Sequence, residues 1–211
     1  MSSRASESTI RRLSHYLRAL EEMEAAGACT VSSEELARSG ATSAAQVRKD
    51  LSQFGSFGKR GLGYPVAELA ERIKWILGLG RPWNVVLVGA GRVGSALFAY
   101  PHFLDRGYHC VAAVDSDPAK VGTRCGPVTI RPAAELEGAI RESEAELVII
   151  AVPAPSAQTV ADRVVAAGAR GILNFAPVKL RVPPGVQVND VDLATELEAL
   201  TFAVKRVEQE G

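Results

Sequence analysis

The sequence has few of the features that mark secreted, zinc-binding or membrane proteins. Its three cysteines, Cys29, Cys110 and Cys125, are odd in number and widely spaced, so neither a disulfide framework nor a zinc site is expected. Cys110 lies in an apolar run and is expected in the core. No run of about 18 apolar residues occurs, which argues against a membrane-spanning helix. The first residues, MSSRASESTIRR, lack the apolar core of a signal peptide, so a cytoplasmic location is expected.

Side chains suited to catalysis are also scarce. The histidines, His15, His102 and His109, have no Ser, Cys or Asp at a spacing that suggests a catalytic triad. The GxSxG motif is absent, and so are His or Cys clusters with metal-ligand spacing. His102 and Lys179 are the candidates for proton transfer, and surface positions are expected for both. We therefore predict no catalytic residue, no metal and no enzyme activity.

The chain has no excess of either charge. Its 24 basic and 24 acidic side chains cancel, which argues against a nucleic-acid partner unless a local patch exists. Hydrophobic residues make up 47% and charged residues 23%, so the chain can build a core. A length of 211 residues suits one large or two small domains.

What the sequence does contain is an apolar strand, Val85 to Val88, that runs into GAGRVG and then into a helix. This strand–GxGxxG–helix order is typical of a dinucleotide-binding turn, although the alternative is a similar turn that binds nothing. Gly89 permits the tight turn, Gly91 lets the backbone approach a pyrophosphate, and Gly94 lets helix pack on strand. The helix N-terminus then holds the phosphates. The predicted contacts are Gly89, Ala90, Gly91, Arg92, Val93 and Gly94.

An acidic residue follows this turn at the expected distance. Asp115 closes the next apolar run, 21 residues after Gly94, close to the offset of an acid that bonds ribose hydroxyls. A carboxylate there repels a 2′-phosphate, and Asp117 makes the region more acidic, so NAD(H) is favoured over NADP(H). Lys120 is included among the predicted cofactor contacts.

From Asn84 onward, predicted strands and helices alternate, which indicates a parallel Rossmann sheet. The predicted strands are Cys110 to Val114, Val128 to Ile130, Leu147 to Val152, Gly171 to Asn174 and, less clearly, Gly185 to Val188. Helices are predicted from Pro132 to Arg141 and from Pro155 or Ser156 to Ala167. Loops at the carboxyl ends of such strands border the ligand crevice, so four further cofactor contacts are predicted: Val152, Pro153, Asn174 and Phe175.

The N-terminal part indicates a helix-turn-helix, placed at residues 17–56. A long amphipathic helix ends at Gly27, and two short helices begin at predicted capping boxes, Ser32 with Glu35 and Ser43 with Gln46. The following segment, GSFGKRGLGY, predicts a β-hairpin, which would be a wing. From Ser43 to Tyr64 the net charge is +3, with Asp50 the one acid. Predicted DNA contacts are Ser43, Gln46, Arg48, Lys49, Gln53, Lys59 and Arg60. The alternative is a solvated helix face and an ordinary loop.

Two further features divide the chain. Gly78-Leu79-Gly80-Arg81-Pro82 breaks the helix that follows Pro65, which places a domain boundary there. A final helix, capped by Asp192, has an apolar face formed by Leu193, Leu197, Leu200 and Val204. Such a face predicts packing on a second subunit, and the alternative is a helix folded back on its own sheet. The predicted domains are a DNA-binding domain at 1–80, a cofactor domain at 81–190 and a dimer helix at 191–211.

The combination resembles the Rex family of redox-sensing transcriptional repressors. The resemblance rests on QVRKDLSQFGSFGKRGLGY, VGAGRVGSAL, ILNFAPVKL and VNDVDLATELEAL, and it covers the chain from about Ile10 to Phe202. It implies an α/β protein with a winged helix-turn-helix domain, a Rossmann domain and a C-terminal helix swapped between two subunits. It also implies that the homodimer binds a palindromic DNA operator and that NADH releases it. An interdomain switch is implied at Arg18, Tyr100 and Asp192.

Two other functions stay open on the residues. One is an NAD-dependent oxidoreductase with an accessory N-terminal domain, which the missing substrate domain disfavours. The other is a Rossmann-type regulator that binds coenzyme A or another nucleotide, which Asp115 and the complete GxGxxG disfavour.

Overall fold

The structure is a computed structural model that describes residues 5–57 and 62–210, with the side chains of 207–210 left out. The chain divides into two compact units, Met1–Arg81 and Pro82–Gly211. The first unit is mostly helical and the second is built on a sheet, which confirms the predicted α/β fold class.

The described residues of the first unit form four helices and a two-stranded sheet. In chain order these are α1 (Glu7–Ala25), β1 (Thr30–Val31), α2 (Ser33–Ser39), α3 (Ala44–Ser52), β2 (Tyr64–Pro65) and α4 (Val66–Ile76). The long helix α1 buries Leu13, Leu17 and Leu20, whose three-four spacing puts them on one face. They pack with apolar side chains of α2, α3 and α4 in one core cluster. This core fixes the directions of the two short helices.

The starts of α2 and α3 differ in one respect from the prediction. At α2 the capping box is complete, since the Ser32 hydroxyl accepts from the Glu35 N–H and the Glu35 carboxylate accepts from the Ser32 N–H. At α3 the Ser43 hydroxyl accepts from the Gln46 N–H, but the Gln46 amide donates to Asp50 at 2.8 Å. The second predicted capping box is therefore wrong in its return bond, from the Ser43 N–H to the Gln46 side-chain oxygen, because the Gln46 side chain is turned along the helix to donate to the Asp50 carboxylate.

The predicted wing is only partly described. Strand β2 pairs antiparallel with β1, which lies between α1 and α2, with Val31 opposite Tyr64. The strand partner therefore comes from an earlier loop that the sequence prediction missed, and not from the described first half of the same segment. Lys59 and Arg60 lie outside the described residues, so their predicted DNA contacts stay predictions.

The second unit is a doubly wound sheet. Its strands are β3 (Trp83–Val88), β4 (Tyr108–Asp115), β5 (Arg124–Cys125), β6 (Val128–Pro132), β7 (Leu147–Ile150), β8 (Gly171–Asn174) and β9 (Gln187–Asp190), in the spatial order β5-β6-β4-β3-β7-β8-β9. All neighbours are parallel except β5 with β6. The chain runs outward in one direction from β3 to β6 and in the other from β7 to β9. The reversal therefore falls between β3 and β7, where such sheets bind ligands.

The helices of this unit lie between the strands in sequence. They are α5 (Arg92–Phe98), α6 (His102–Asp105), α7 (Leu136–Glu142, preceded by a 3-10 turn at Ala133–Glu135), α8 (Ala154–Ala166) and α9 (Leu193–Glu210). Strand β8 has the predicted bounds. The predicted last strand is displaced by two residues, β7 ends at Ile150 instead of Val152, and α8 begins directly after Pro153. The short elements α6 and β5 were not predicted, because neither is long enough to show a periodicity.

The last helix, α9, exposes its apolar side chains. Its described large apolar residues are between 53% and 65% exposed, namely Leu193, Leu197, Leu200, Phe202 and Val204. The alternative in which this helix folds back on its own sheet is therefore wrong. In the described part of the chain, no helix is long and apolar enough to cross a membrane.

Candidate dinucleotide-binding site and DNA-binding helices

The turn between β3 and α5 leaves the start of the helix open to a ligand. Gly91 is the N-cap of α5, and no described side chain caps this helix end. A Cβ added at Gly91 would have no atom within 4 Å, so the space beside this residue is empty. Free N–H groups beside open space are what a phosphate requires. The turn therefore has the form of a pyrophosphate cradle.

The other two glycines of the motif are needed for the shape of this turn. Gly89 has a φ of 93°, and an added Cβ there would lie 2.5 Å from the Ala151 carbonyl oxygen. A Cβ at Gly94 would collide with the Gly89 carbonyl oxygen. The missing side chain at Gly89 lets the turn lie against the residue after β7, and the missing side chain at Gly94 lets α5 lie against the end of β3.

Asp115, at the carboxyl end of β4, braces the glycine-rich turn from the side. Its Oδ2 accepts from the Ala90 N–H at 2.7 Å and from Lys120 Nζ at 3.1 Å, and its Oδ1 accepts from the Asp117 N–H at 2.8 Å. Burial opposes ionisation, but these donors outweigh it and lower the pKa of Asp115. The carboxylate is thus charged, and Oδ1, which accepts one described bond, has acceptor capacity left for a ribose hydroxyl. The sequence reasoning missed the bracing role because it depends on contact across the sheet edge.

A cavity of about 440 Å³ adjoins Asp115. It is lined mainly by small apolar residues from the ends of β4 and β6, which are Pro118, Val121, Pro132, Ala133 and Ala134. A flat, largely apolar ring such as adenine fits walls of this kind beside a carboxylate for the ribose. The residues of this edge therefore fit an adenine dinucleotide. The turn after β6 could have been proposed from the sequence, since it follows a strand carboxyl end.

The remaining predicted cofactor contacts lie at the same edge of the sheet, after β7 and β8. Val152 is half-buried and Pro153 is exposed at the start of α8. Phe175 is half-buried and packs on the apolar cluster beneath the turn. Asn174 is fully buried, and its amide bonds to protein groups. Because parallel strands end at one edge, the structure brings these residues to the side of the sheet that carries the glycine-rich turn.

The three residues of the implied switch lie on different elements. Arg18 is exposed on α1 of the first unit. Tyr100 is 48% exposed and makes edge contacts with the rings of His102 and Phe103. Asp192 is exposed and caps α9, where its carboxylate accepts from the Ala194 and Thr195 N–H groups. These backbone hydrogen bonds lower the pKa of Asp192.

The first unit contains a buried ionic cluster that holds α3 on α1. Asp50 has no exposed surface, and both its oxygens accept from the Arg12 guanidinium, at 2.6 and 2.8 Å. The Tyr16 hydroxyl and the Gln46 amide donate to the same carboxylate. Burial and the neighbouring Asp50 charge raise the pKa of Tyr16 to about 12. Asp50 is therefore a structural anchor and adds no negative charge to the exposed face of α3.

The predicted DNA-contacting residues on α3 divide into two groups. Gln46 is bound to Asp50, and Arg48 donates to the Ser33 hydroxyl at 2.7 Å, with Glu34 3.6 Å away. These two side chains are partly engaged within the unit. The other three, Ser43, Lys49 and Gln53, are exposed, and so is Arg48 despite its bond to Ser33. Lys49 is the exposed cation of α3 for which no ion pair is described.

Across the described residues, no three His, Cys, Asp or Glu side chains form a metal-binding group. His102 lies 3.3 Å from Asp105 on the same exposed helix. Burial raises the pKa of the Cys110 thiol to about 11, so that it stays protonated in the core.

The two units together define a class, a helix-turn-helix unit joined to a Rossmann dinucleotide-binding unit. The family profile described as "Putative DNA-binding protein N-terminus" matches residues 4–52, and that described as "CoA binding domain" matches residues 80–178. The redox-sensing transcriptional repressor Rex of Carboxydothermus hydrogenoformans is 50% identical over 200 residues, which cover 95% of this chain and 96% of that protein. The chain therefore belongs to the Rex family of redox-sensing transcriptional repressors, which confirms the resemblance seen in the sequence.

Solved structures of a relative are consistent with this family membership. RSP, a Rex-family repressor, in complex with β-NAD+ and operator DNA is 34% identical, with a TM-score of 0.91 over 98% of this chain and 95% of that one. RSP in complex with β-NADH is 32% identical, with a TM-score of 0.88 over 98% and 97% of the two chains.

Proposed function

We propose that this protein is a cytoplasmic, NADH-responsive transcriptional repressor. It binds palindromic operator DNA as a homodimer, and NADH binding to the Rossmann unit releases the DNA. The protein thereby reports the ratio of NADH to NAD+. The residues 1–80 form the DNA-binding domain, 81–190 the cofactor domain and 191–211 the dimer helix.

The observation that carries this proposal is the pairing of two sites in one chain. One unit presents α3 with its exposed Lys49, and the other presents an uncapped glycine-rich turn beside a cavity for adenine. RSP is solved with β-NAD+ and operator DNA together and separately with β-NADH, which supports the same pair of ligands here.

The residues have defined tasks in this proposal. The turn from Gly89 to Gly94 binds the pyrophosphate through backbone N–H groups, and Asp115 with Lys120 holds the adenosine ribose. When bound, the cofactor supplies a nicotinamide ring whose charge and shape differ between its two redox forms. Residues near Tyr100, Phe175 and Asp192 distinguish those forms. The Arg18 guanidinium takes part in the switch.

The exposed apolar face of α9 supports a homodimer. Its face has large apolar side chains whose exposure is costly in water, and a second copy that covers them provides the burial; these are Leu193, Leu197, Leu200 and Val204. Two recognition helices then read two half-sites, so that operator binding depends on the distance between them.

The alternative functions have weaker support. An oxidoreductase needs an acid–base group beside the nicotinamide, and His102 pairs with Asp105 on an exposed helix. We therefore propose that the protein is not an enzyme. The profile for coenzyme A binding shares the glycine-rich turn, but Asp115 beside the adenosine cavity favours a free ribose diol over the 3′-phosphate of coenzyme A.

The test is a titration of palindromic operator DNA with the protein in the presence of NAD+, NADH or neither. NADH is expected to lower DNA affinity while NAD+ leaves it high. Unchanged DNA affinity with NADH, together with turnover of a hydroxy-acid or alcohol substrate, would support the oxidoreductase instead.

A further inference from the structure

Asn174 is a buried polar residue whose side-chain donors are fully used at the end of β8. Its amide nitrogen donates to the Val178 carbonyl at 2.8 Å, to the Asp190 carboxylate at 2.8 Å and to the Ala176 carbonyl at 3.3 Å. Its oxygen accepts from the Ala176 N–H at 3.0 Å. The side chain therefore shapes the loop that follows β8 and has no donor left for a cofactor.

The bond to Asp190 connects this loop to the start of the last helix. Asn174 and Asp190 are opposite each other in the β8–β9 pair, and the Val191 N–H donates to the Asn174 carbonyl at 2.8 Å. Asp192 follows directly and caps α9. The buried Asn174 side chain thus joins the loop after β8 to Asp190, two residues before the cap of the dimer helix.

A line of backbone hydrogen bonds runs along the same edge. The Ala151 N–H donates to the Val88 carbonyl, next to Gly89, and the Phe175 N–H donates to the Ile150 carbonyl, both at 2.8 Å. These bonds join the ends of β3, β7 and β8. The Asn174–Asp190 pair continues the line to β9, and it is the part of the line that side-chain substitution can remove.

We infer that Asn174 and Asp190 are positioning residues that transmit cofactor binding from the loop after β8 to Asp192 and α9. This inference rests on the proposed function. A cofactor that moves the loop of Phe175 to Val178 strains or relieves the amide bonds of Asn174. The Asp190 carboxylate then follows, and the cap of α9 is displaced with it. Coupling carried by a bonded chain of this kind can be weakened at one link while both binding sites stay intact.

The test replaces Asp190, which is exposed, so that folding is little affected. The Asp190→Ala variant removes the acceptor of the Asn174 amide. The Asp190→Asn variant keeps a carbonyl acceptor in the same place and serves as the rescue. Asn189→Ala is the matched control, since Asn189 is exposed on the same strand and points to the opposite face of the sheet. Each full-length protein is measured for NADH affinity, operator affinity, melting temperature and the factor by which NADH weakens operator binding.

The expected result is a coupling factor lowered by roughly 3- to 30-fold in Asp190→Ala, with both single affinities and the melting temperature near wild type. Asp190→Asn restores the factor and Asn189→Ala keeps it. The inference is overturned if Asp190→Ala keeps wild-type coupling, if Asp190→Asn fails to restore it, or if the loss only follows a fall in NADH affinity or melting temperature. Wild-type protein without any NADH effect on operator binding would instead contradict the proposed function itself.

Discussion

At the scale of single residues, the glycines of one motif have separable roles. A Cβ at Gly91 enters open space, whereas a Cβ at Gly94 meets the Gly89 carbonyl oxygen. The same pattern GxGxxG thus contains one position that serves the ligand and others that serve the fold. A substitution at Gly91 should therefore lower cofactor affinity and leave stability unchanged, whereas a substitution at Gly94 should lower stability.

The Gly91→Glu variant should fold normally and lose the cofactor. The carboxylate would occupy the space of the pyrophosphate and repel it, so we expect NADH affinity to fall by at least about 100-fold, roughly 3 kcal/mol. The melting temperature should stay within about 2 °C, since an added Cβ at Gly91 meets no atom within 4 Å. Calorimetric titration with NADH and operator release are the measurements. Gly94→Ala is the comparison, and it should lower the melting temperature. Normal release of Gly91→Glu from DNA by NADH would contradict this assignment of the site.

The ionic cluster of the first unit supports a second prediction. Arg12→Ala leaves the buried Asp50 carboxylate without its main partner, and we expect it to lower the free energy of unfolding by about 3 kcal/mol. Arg11→Ala is the control, because its pair with Glu7 is exposed and contributes at most about 0.5 kcal/mol. Chemical denaturation of both variants measures the difference.

The pH dependence of this effect follows from the lowered pKa of Asp50. Burial raises that pKa, but bonds from Arg12, Gln46 and Tyr16 bring it below the ordinary value of 3.8. A depressed carboxyl pKa contributes stability above the unfolded value and loses it as pH falls through the folded value. The gap between wild type and Arg12→Ala should therefore be large at about pH 7 and shrink below about pH 4. A gap that grows in acid would show that Asp50 is not ionised in the fold.

At the scale of elements, α9 is the helix whose apolar face is left exposed in a single chain. Leu197→Glu places a charge in its exposed apolar face and should convert a dimer to a monomer. Operator affinity should fall by at least about 100-fold, since one recognition helix loses the contribution of its partner. Light scattering after gel filtration and DNA titration are the measurements. Glu198→Lys, which changes charge on the opposite side of the helix, should remain dimeric. A dimeric Leu197→Glu variant would place the subunit contact elsewhere.

At the scale of the whole molecule, the two sites must influence each other reciprocally. If NADH weakens operator binding by a given factor, operator DNA must weaken NADH binding by the same factor. NADH titrations of the free protein and of the protein saturated with operator should give that ratio to within about twofold. If operator DNA leaves NADH affinity unchanged although NADH strongly weakens operator binding, NADH does not act through the binding equilibrium of this protein.

The sequence by itself determined the parts of this protein that depend on local patterns. The glycine motif, the helix-turn-helix, the position of β8 and the apolar face of α9 all follow from spacing along one element. Even the family could be proposed, because its motifs are contiguous in the chain. The roles of the domains and the individual contact residues were inferred from the same local patterns, and they remain predictions.

Only the tertiary structure decided which side chains meet across elements. The bond from the Ala90 N–H to Asp115, the pairing of Arg12 with Asp50 and the bond from Arg48 to Ser33 join residues whose positions no sequence periodicity relates. The same is true of β1, whose partner lies 34 residues further along the chain. The physical reason is that hydrogen bonds and burial depend on distance in space, and the packing of the core sets that distance after the local elements have formed.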